Sequence, residues 1–178
     1  MKKFLILLVL LSFLGCSDDD GPKDKNGLPV ATQTGENTFG CLVNGKRYTP
    51  SGYFPYPKLE ATYDDFNGDF YLRASRRVGA DVEGIVLGSR AFNLSEGQTY
   101  QLLENEEGNA SGGWFVSEDF FGYAYTGEQH TGELTITNYD EANHILSGLF
   151  WFDVLLPNGE VVEIREGRFD VKIGQPER

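Results

Sequence analysis

The chain has 178 residues, 40% of them hydrophobic and 13% aromatic, which suits a single domain with a real core and excludes wholesale disorder. Its 22 glycines and single methionine favour short strands joined by turns over a helical bundle. The formal net charge of −12 makes nucleic acid and anionic headgroups poor partners, because like charges repel. We therefore expect one β-rich domain that does not bind nucleic acid.

The N-terminus has the pattern of an export signal. Lys2 and Lys3 precede the apolar stretch Phe4–Leu14, and Gly15 supplies a small residue before a cleavage point. Eleven residues of helix span only about half of a hydrocarbon core of roughly 30 Å, so this stretch is too short to cross a membrane. The pattern predicts a signal peptide over residues 1–15, and its removal leaves a chain with two fewer lysines.

Cys16 follows Gly15 directly, and in this respect the segment resembles a bacterial lipoprotein leader. The resemblance implies that Cys16 carries fatty acyl chains such as palmitate and becomes the new N-terminus. Each buried methylene contributes about 0.8 kcal/mol to such an anchor. The acidic run at 17–20 resembles the one that accompanies export to the outer face of the outer membrane in Bacteroidota. We expect an outer-membrane lipoprotein that faces the cell exterior and contacts the membrane through its lipid only.

Residues 16–37 are polar and rich in turn-forming residues, which predicts a flexible tether ahead of a domain over 38–178. With Cys16 lipidated, Cys41 has no cysteine left to pair with. It lies in the apolar run Phe39–Val43, so we interpret it as a buried structural thiol rather than a nucleophile.

The rest of the chain is punctuated as a β-meander. Phe39–Val43 and Lys46–Thr49 flank Asn44-Gly45, the strongest two-residue hairpin signal. In Glu133–Thr137 every second residue is apolar, as a half-buried strand requires. Further predicted strands are Lys58–Tyr63, Phe70–Arg77, Val82–Ser89, Thr99–Leu103, Gly113–Ser117, Phe121–Thr126, Glu133–Tyr139, His144–Leu156 and Glu160–Ile173. These predict an antiparallel β-sandwich of about ten strands, with a flattened or lipocalin-like barrel as the alternative.

Several phrases resemble an uncharacterised domain family of secreted Bacteroidota lipoproteins. They are NTFGCLVNGK at 37–46 followed by Pro50, the preceding LPxATQTG at 28–35, and the endings SGxF at 147–150 and GxFDV at 167–171. The resemblance covers most of residues 28–173. It implies a secreted β-rich lipoprotein and brings no activity or catalytic residues with it.

Catalytic motifs are missing from the sequence. No serine lies in a Gly-x-Ser-x-Gly elbow, and no HExxH, CxxC or P-loop pattern occurs. His130 and His144 lie in polar turns and suit solvated residues better than general bases. A carboxylate pair for glycoside hydrolysis has no linear signature, so this alternative stays open. We expect a protein that is not an enzyme.

One turn offers oxygen ligands for a hard cation. Asp65, Asn67 and Asp69 carry oxygens at alternate positions, as at the start of a Ca²⁺ loop, and Asp64 could add another. The glycine and terminal acid of a full calcium loop do not follow at the required spacing. Calcium is therefore a weak candidate cofactor, and Asn67-Gly68 is equally explained as a hairpin turn.

An aromatic loop is the main candidate binding site. Tyr53, Phe54 and Tyr56 lie between prolines, where rings are harder to bury than on strands. Exposed together, they could stack on a sugar or anchor a protein partner. The alternative is that they plug one end of the core.

Two groups of aromatic residues lie on predicted strands. We expect Trp114, Phe150, Trp151 and Phe152 to belong to the core. In the run 121–125, large rings alternate with small residues, so three rings share one sheet face. That face either packs against the other sheet or offers a binding surface.

These observations predict a surface-anchored, non-enzymatic module that binds an unknown ligand or interacts with the envelope. A glycan-binding accessory protein is the first alternative, and a small hydrolase or hydrolase inhibitor is the second.

Overall fold

The computed structural model describes residues 21–52, 57–116 and 123–174, and in these ranges the chain forms strands and no helix. None of these ranges contains a helix that could span a membrane. The eleven strands are β1 Thr38–Val43, β2 Lys46–Tyr48, β3 Leu59–Asp64, β4 Asp69–Val78, β5 Asp81–Ser89, β6 Thr99–Leu102, β7 Ala110–Val116, β8 Ala124–Tyr125, β9 Gly132–Asp140, β10 Ile145–Leu155 and β11 Val161–Lys172. The all-β prediction is confirmed.

All strands belong to one sheet in the order β2-β1-β11-β10-β9-β6-β7-β5-β4-β3, with β8 paired to β7. Every pairing is antiparallel except the short parallel contact of β6 with β7 at Leu102 and Ala110. Among the described strands, the end strands β2 and β3 do not pair with each other, so the sheet stays open and does not close into a barrel.

The sheet folds over so that its two halves pack face to face. The Phe70 ring on β4 stacks on Phe169 of β11 at a centroid distance of 6.2 Å. Tyr48 on β2 meets Trp114 on β7 edge to face at 5.8 Å. These contacts join strands that lie far apart in the sheet order, so the core lies between two layers, as in a sandwich, although the layers are continuous through β6.

Side-chain alternation assigns each residue to the core or to the outer face. Phe150 and Phe152 on β10 are buried, and Trp114 is only 4% exposed, as predicted. The prediction that Trp151 is a core residue is wrong, because its side chain is 36% exposed. Trp151 stands between two inward-facing phenylalanines, so the two-residue period of a strand directs it outward.

The turn chemistry predicted from the sequence is confirmed at the first hairpin. Asn44 and Gly45 have φ values of 48° and 74°, as a type I′ turn requires at both central positions. A register shift between Ser147 and Gly148, where β10 pairs with β9, marks a β-bulge at a glycine.

Residues 21–37 form a strap that lies against β1 and β11. Leu28 in this strap is fully buried, and Asp24 pairs with Arg168 of β11 at 2.8 Å. The prediction of a flexible tether is therefore wrong for this part of the chain, because the strap has its own buried side chain and its own partners. Residues 16–20 of the predicted tether lie outside the described ranges.

Asp170 on β11 fastens the strap. Its buried carboxylate accepts hydrogen bonds from the hydroxyls of Thr32 at 2.7 Å and Ser147 at 2.8 Å. It also accepts from the three backbone amides of residues 34–36 at 2.9–3.2 Å. Burial acts to raise the pKa of Asp170, but these hydrogen bonds outweigh burial and hold the pKa below its usual value. The carboxylate is thus ionised and serves as the hub that attaches the strap.

Candidate functional site

The main candidate site is a cavity of about 440 Å³ on the outer face of strands β3, β4, β5, β7 and β8. We call it the tyrosine cleft. Its size falls within the range of small-molecule sites. The residues lining it are Thr62, Asp64, Asp69, Phe70, Tyr71, Val86, Gly88, Ser89, Arg90, Asn105, Ser111 and Tyr125.

The floor of the cleft is backbone, because its central residue has no side chain. Gly88 lies between Tyr71 of β4 and Ser111 of β7 in the sheet register. A Cβ atom built on Gly88 would meet only the Phe70 carbonyl oxygen within 4 Å, at 3.1 Å. No side chain of the described residues therefore covers this position, and the sheet backbone forms the floor of the cleft here.

Two tyrosines form the walls. Tyr71 rises from β4 and Tyr125 from β8, and they are 36% and 37% exposed. Tyr125 packs on the backbone of Gly113, where an added Cβ would come within 3.0 Å of its ring. Since β4 and β8 are separated by β5 and β7, the walls stand on strands about 14 Å apart.

The walls are held by their neighbours. Tyr123 lies beside Tyr125 at a centroid distance of 5.9 Å. Partial burial raises the pKa of Tyr71, opposed by the Arg73 guanidinium, and burial likewise raises the pKa of Tyr125, opposed by Arg90. Both phenols are therefore neutral around pH 7 and present an apolar ring together with a hydroxyl.

Hydrogen-bond acceptors and hydrogen-bond donors both lie around the rim of the cleft. Asp69 accepts a hydrogen bond from the Ala91 amide at 2.9 Å through one oxygen, Oδ1. Asn105 supplies an amide that can donate and accept. Arg90 forms no ion pair within the described part of the chain, unlike the paired Arg73 across the cleft. An unpaired guanidinium in an acidic protein leaves its donors available to a ligand.

The predicted calcium ligands form a hairpin turn. The carboxylate of Asp64 accepts hydrogen bonds from the amides of Phe66 and Asn67 and from the Asn67 side chain. Gly68 has a φ of 74°, which the turn requires. In the described ranges no group of three or more His, Cys, Asp or Glu residues is arranged to hold a metal. Calcium binding by Asp65, Asn67 and Asp69 stays a prediction, and of these three only Asp69 lines the cleft.

Other predicted sites lie outside the described residues. These are the lipidation site Cys16, the loop aromatics Tyr53, Phe54 and Tyr56, and the Phe121 ring. Gly52, just before that loop, bridges to Arg76, five residues along β4 from Tyr71. The described end of the loop is thus about 17 Å from the cleft walls.

Cys41 is a free, fully buried cysteine, which confirms the interpretation as a structural thiol. Burial raises the pKa of this thiol far above its usual range, so the reactive thiolate does not form near neutral pH. His144 has a φ of 55° and is exposed in the turn before β10, and the half-buried His130 lies in the loop before β9. Neither histidine lines the cleft.

Sequence reasoning found part of the cleft. The alternation in 121–125 places Tyr123 and Tyr125 on one sheet face, and the structure shows Tyr125 exposed rather than packed against the other layer, whereas the binding surface stays a prediction. Tyr71 and Arg90 were missed. The sequence offers one weak indication of the cleft. Gly84 and Gly88 interrupt β5 at an even spacing, so both lie on the same face of the strand and leave the sheet without side chains there.

Comparisons with protein-family models, with curated proteins and with solved structures found no match. The functional argument therefore rests on the residues of the tyrosine cleft.

Proposed function

We propose that this protein is a surface-anchored, non-enzymatic binding module of the cell envelope and that the tyrosine cleft binds carbohydrate. The observation that carries the proposal is the pair of exposed walls, Tyr71 and Tyr125, above the bare backbone at Gly88. A flat, wide site with aromatic walls admits a ring-shaped ligand without moving any side chain out of the floor.

The polar rim suits a ligand rich in hydroxyl groups. A sugar hydroxyl can donate to a carboxylate while accepting from a guanidinium or amide, and Asp69, Arg90 and Asn105 offer these groups around one cavity. The tyrosine rings supply apolar area against the C–H face of a pyranose, and few side-chain torsions need to be ordered on binding. A neutral glycan can hydrogen-bond to the Asp69 carboxylate and the Arg90 guanidinium at the same time.

The carboxylates of the cleft support binding over hydrolysis. Asp64 is already an acceptor for its own turn, and Asp69 accepts from a backbone amide. A general acid has to carry a proton and is normally sheltered in an apolar pocket, whereas Asp69 is exposed. This pair therefore resembles a hydrogen-bonding rim more than a catalytic dyad.

The position of the cleft agrees with display away from a membrane. Gly21, the first described residue, and Lys58 line the same small pocket, and the residues of β3 that line the cleft are Thr62 and Asp64. They are four and six extended residues from Lys58, or about 13 and 20 Å. A lipid on Cys16, as the lipoprotein resemblance implies, would be attached five residues before Gly21, whereas the cleft lies toward the other end of this strand.

A glycan array tests the proposal with the full chain in mild detergent. We expect binding to at least one neutral polysaccharide and a loss of at least tenfold in Tyr71→Ala and in Tyr125→Ala. Leu155→Ala is the control, because Leu155 is an exposed apolar residue on the other half of the sheet that does not line the cleft. Absence of binding to any glycan, or equal binding by all variants, would overturn the proposal.

A further inference from the structure

A second cavity lies on the outer face of β9, β10 and β11 and does not overlap the tyrosine cleft. It has a volume of about 320 Å³, and Leu149 and Trp151, 44% and 36% exposed, are its apolar walls. Ala31 of the strap lines the opposite side. We call it the Trp151 pocket. It combines exposed apolar area with a depression of ligand size, which a scattered surface residue does not.

The indole of Trp151 is held in place from two directions. Its Nε1 donates to Glu133 Oε2 at 3.2 Å, and the guanidinium of Arg165 lies 5.5 Å from the ring centroid. Arg165 is itself fixed by two hydrogen bonds to the Asp153 carboxylate, at 2.6 and 3.1 Å. The ring is therefore ordered in advance, which lowers the entropy that a ligand has to overcome.

Acidic groups outnumber basic groups around this ring. Arg165 is matched by both Asp153 and Glu163, at 2.6 and 3.3 Å. Each such arrangement of one cation with two acids leaves a net negative charge.

Arg168, on the other side of the pocket, follows the same pattern. It is matched by Asp24 of the strap at 2.8 Å and by Glu166 at 3.6 Å. Glu133 accepts hydrogen bonds from Trp151 and Gln101, which are both neutral. Its negative charge has no cationic hydrogen-bond donor among the described residues.

We propose that the Trp151 pocket binds a lysine or arginine side chain from a basic segment of a partner protein. A cation over an indole face is attracted by the ring quadrupole, and the attraction is stronger when the pair is desolvated. Leu149 would cover the aliphatic stem of the side chain while its charge faces Glu133 and Glu166. The acidic surface of the whole chain favours encounter with a basic partner.

The test uses a synthetic peptide of alternating lysine and glycine, titrated into the full chain in detergent and followed by tryptophan fluorescence. Trp114 is only 4% exposed, so a ligand-induced change comes mainly from Trp151. We expect a saturable change that a glycine–serine peptide does not produce. Glu133→Gln should weaken binding about tenfold.

Glu107→Gln is the control for general charge, because it removes one negative charge from an exposed loop residue that does not line the pocket. It should change the affinity less than twofold. Trp151→Leu, followed by calorimetry, should weaken binding at least fivefold. Equal weakening by Glu133→Gln and Glu107→Gln, unchanged binding by Trp151→Leu, or no saturable signal would overturn the proposal.

The two sites are tested separately. Tyr71→Ala should leave binding of the lysine–glycine peptide unchanged. If a neutral oligosaccharide bound here and was lost in Trp151→Leu while the peptide did not bind, the pocket would belong to glycans and the proposal of a basic partner would be wrong.

Discussion

Two outward-facing positions, Asp170 on one half of the sheet and Gly88 on the other, are used in opposite ways. On β11, the outward-facing Asp170 is buried by the strap and satisfied by five donors. On β5, the outward-facing Gly88 lies open between tyrosine walls. The Asp170 carboxylate has its hydrogen-bonding capacity used within the chain, whereas the surroundings of Gly88 leave aromatic area and the Arg90 guanidinium available. The comparison indicates that the strap serves stability and the cleft serves binding.

The largest expected effect is at the hub of the strap. Asp170→Asn places an amide NH₂ among hydrogen-bond donors and leaves several of them without an acceptor. Because unsatisfied buried groups cost about 1–3 kcal/mol each, we expect the free energy of unfolding to fall by about 4 kcal/mol. Denaturant titration of the full chain in detergent measures it.

Asp69→Asn is the matched control on the open half, where the carboxylate is exposed and accepts one backbone hydrogen bond. It should lower the free energy of unfolding by less than about 1 kcal/mol. Similar losses in the free energy of unfolding for Asp69→Asn and Asp170→Asn would contradict the contrast between the buried carboxylate of the strap and the exposed carboxylate of the cleft.

The strap should also respond to loss of its apolar anchor. Leu28 is fully buried, and Leu28→Ala removes apolar contacts and leaves a cavity. We expect a loss of about 3 kcal/mol in the free energy of unfolding. Val30→Ala, at a half-buried position in the same strap, should cost clearly less. A flexible tether would show no effect for either variant in thermal unfolding.

Acid should weaken the strap. The folded-state pKa of Asp170 is lower than its unfolded value, so the carboxylate contributes stability that is fully present above the unfolded value of about 4. This contribution is lost as the pH falls through the folded-state pKa. The difference in melting temperature between wild type and Asp170→Asn should therefore shrink below about pH 4. A difference that stays constant from pH 7 to pH 3 would contradict this assignment.

The smallest expected effect on stability is at the cleft. Tyr71 is 36% exposed on the outer face of the sheet, so Tyr71→Ala should change the free energy of unfolding by about 1 kcal/mol or less. Tyr48→Phe is the contrasting variant and should lower the free energy of unfolding by more than Tyr71→Ala does. The Tyr48 hydroxyl is buried and donates to the Ala74 carbonyl at 2.9 Å, so its loss leaves that carbonyl without this donor. If Tyr71→Ala unfolded the protein, the cleft walls would be structural and not reserved for a ligand.

The strands followed from the sequence because alternation and turn residues are local signals. Asn44-Gly45 defined its hairpin, and all predicted strands within the described ranges are present with small shifts at their ends. The same alternation should have excluded Trp151 from the core, since it stands between Phe150 and Phe152. The hydrophobicity of a residue alone does not indicate which face of a strand it occupies.

The strap and the assembly of the cleft from β4, β5, β7 and β8 could not be predicted, because both depend on contacts between distant segments. Asp170 has the pattern of an ordinary outward-facing acid, and its burial arises from residues about 135 positions earlier. Tyr71 and Tyr125 line one cleft because β5 and β7 are neighbours in the sheet while β6 lies on the far side of β7. Local propensity contains no information about that order.

The most direct test of the central claim is calorimetric titration of the best oligosaccharide from the array into the full chain in detergent. The account predicts saturable binding that is at least tenfold weaker in Tyr71→Ala, with a nearly unchanged melting temperature. Binding of equal strength by wild type and Tyr71→Ala, or no binding by the wild type, would contradict it.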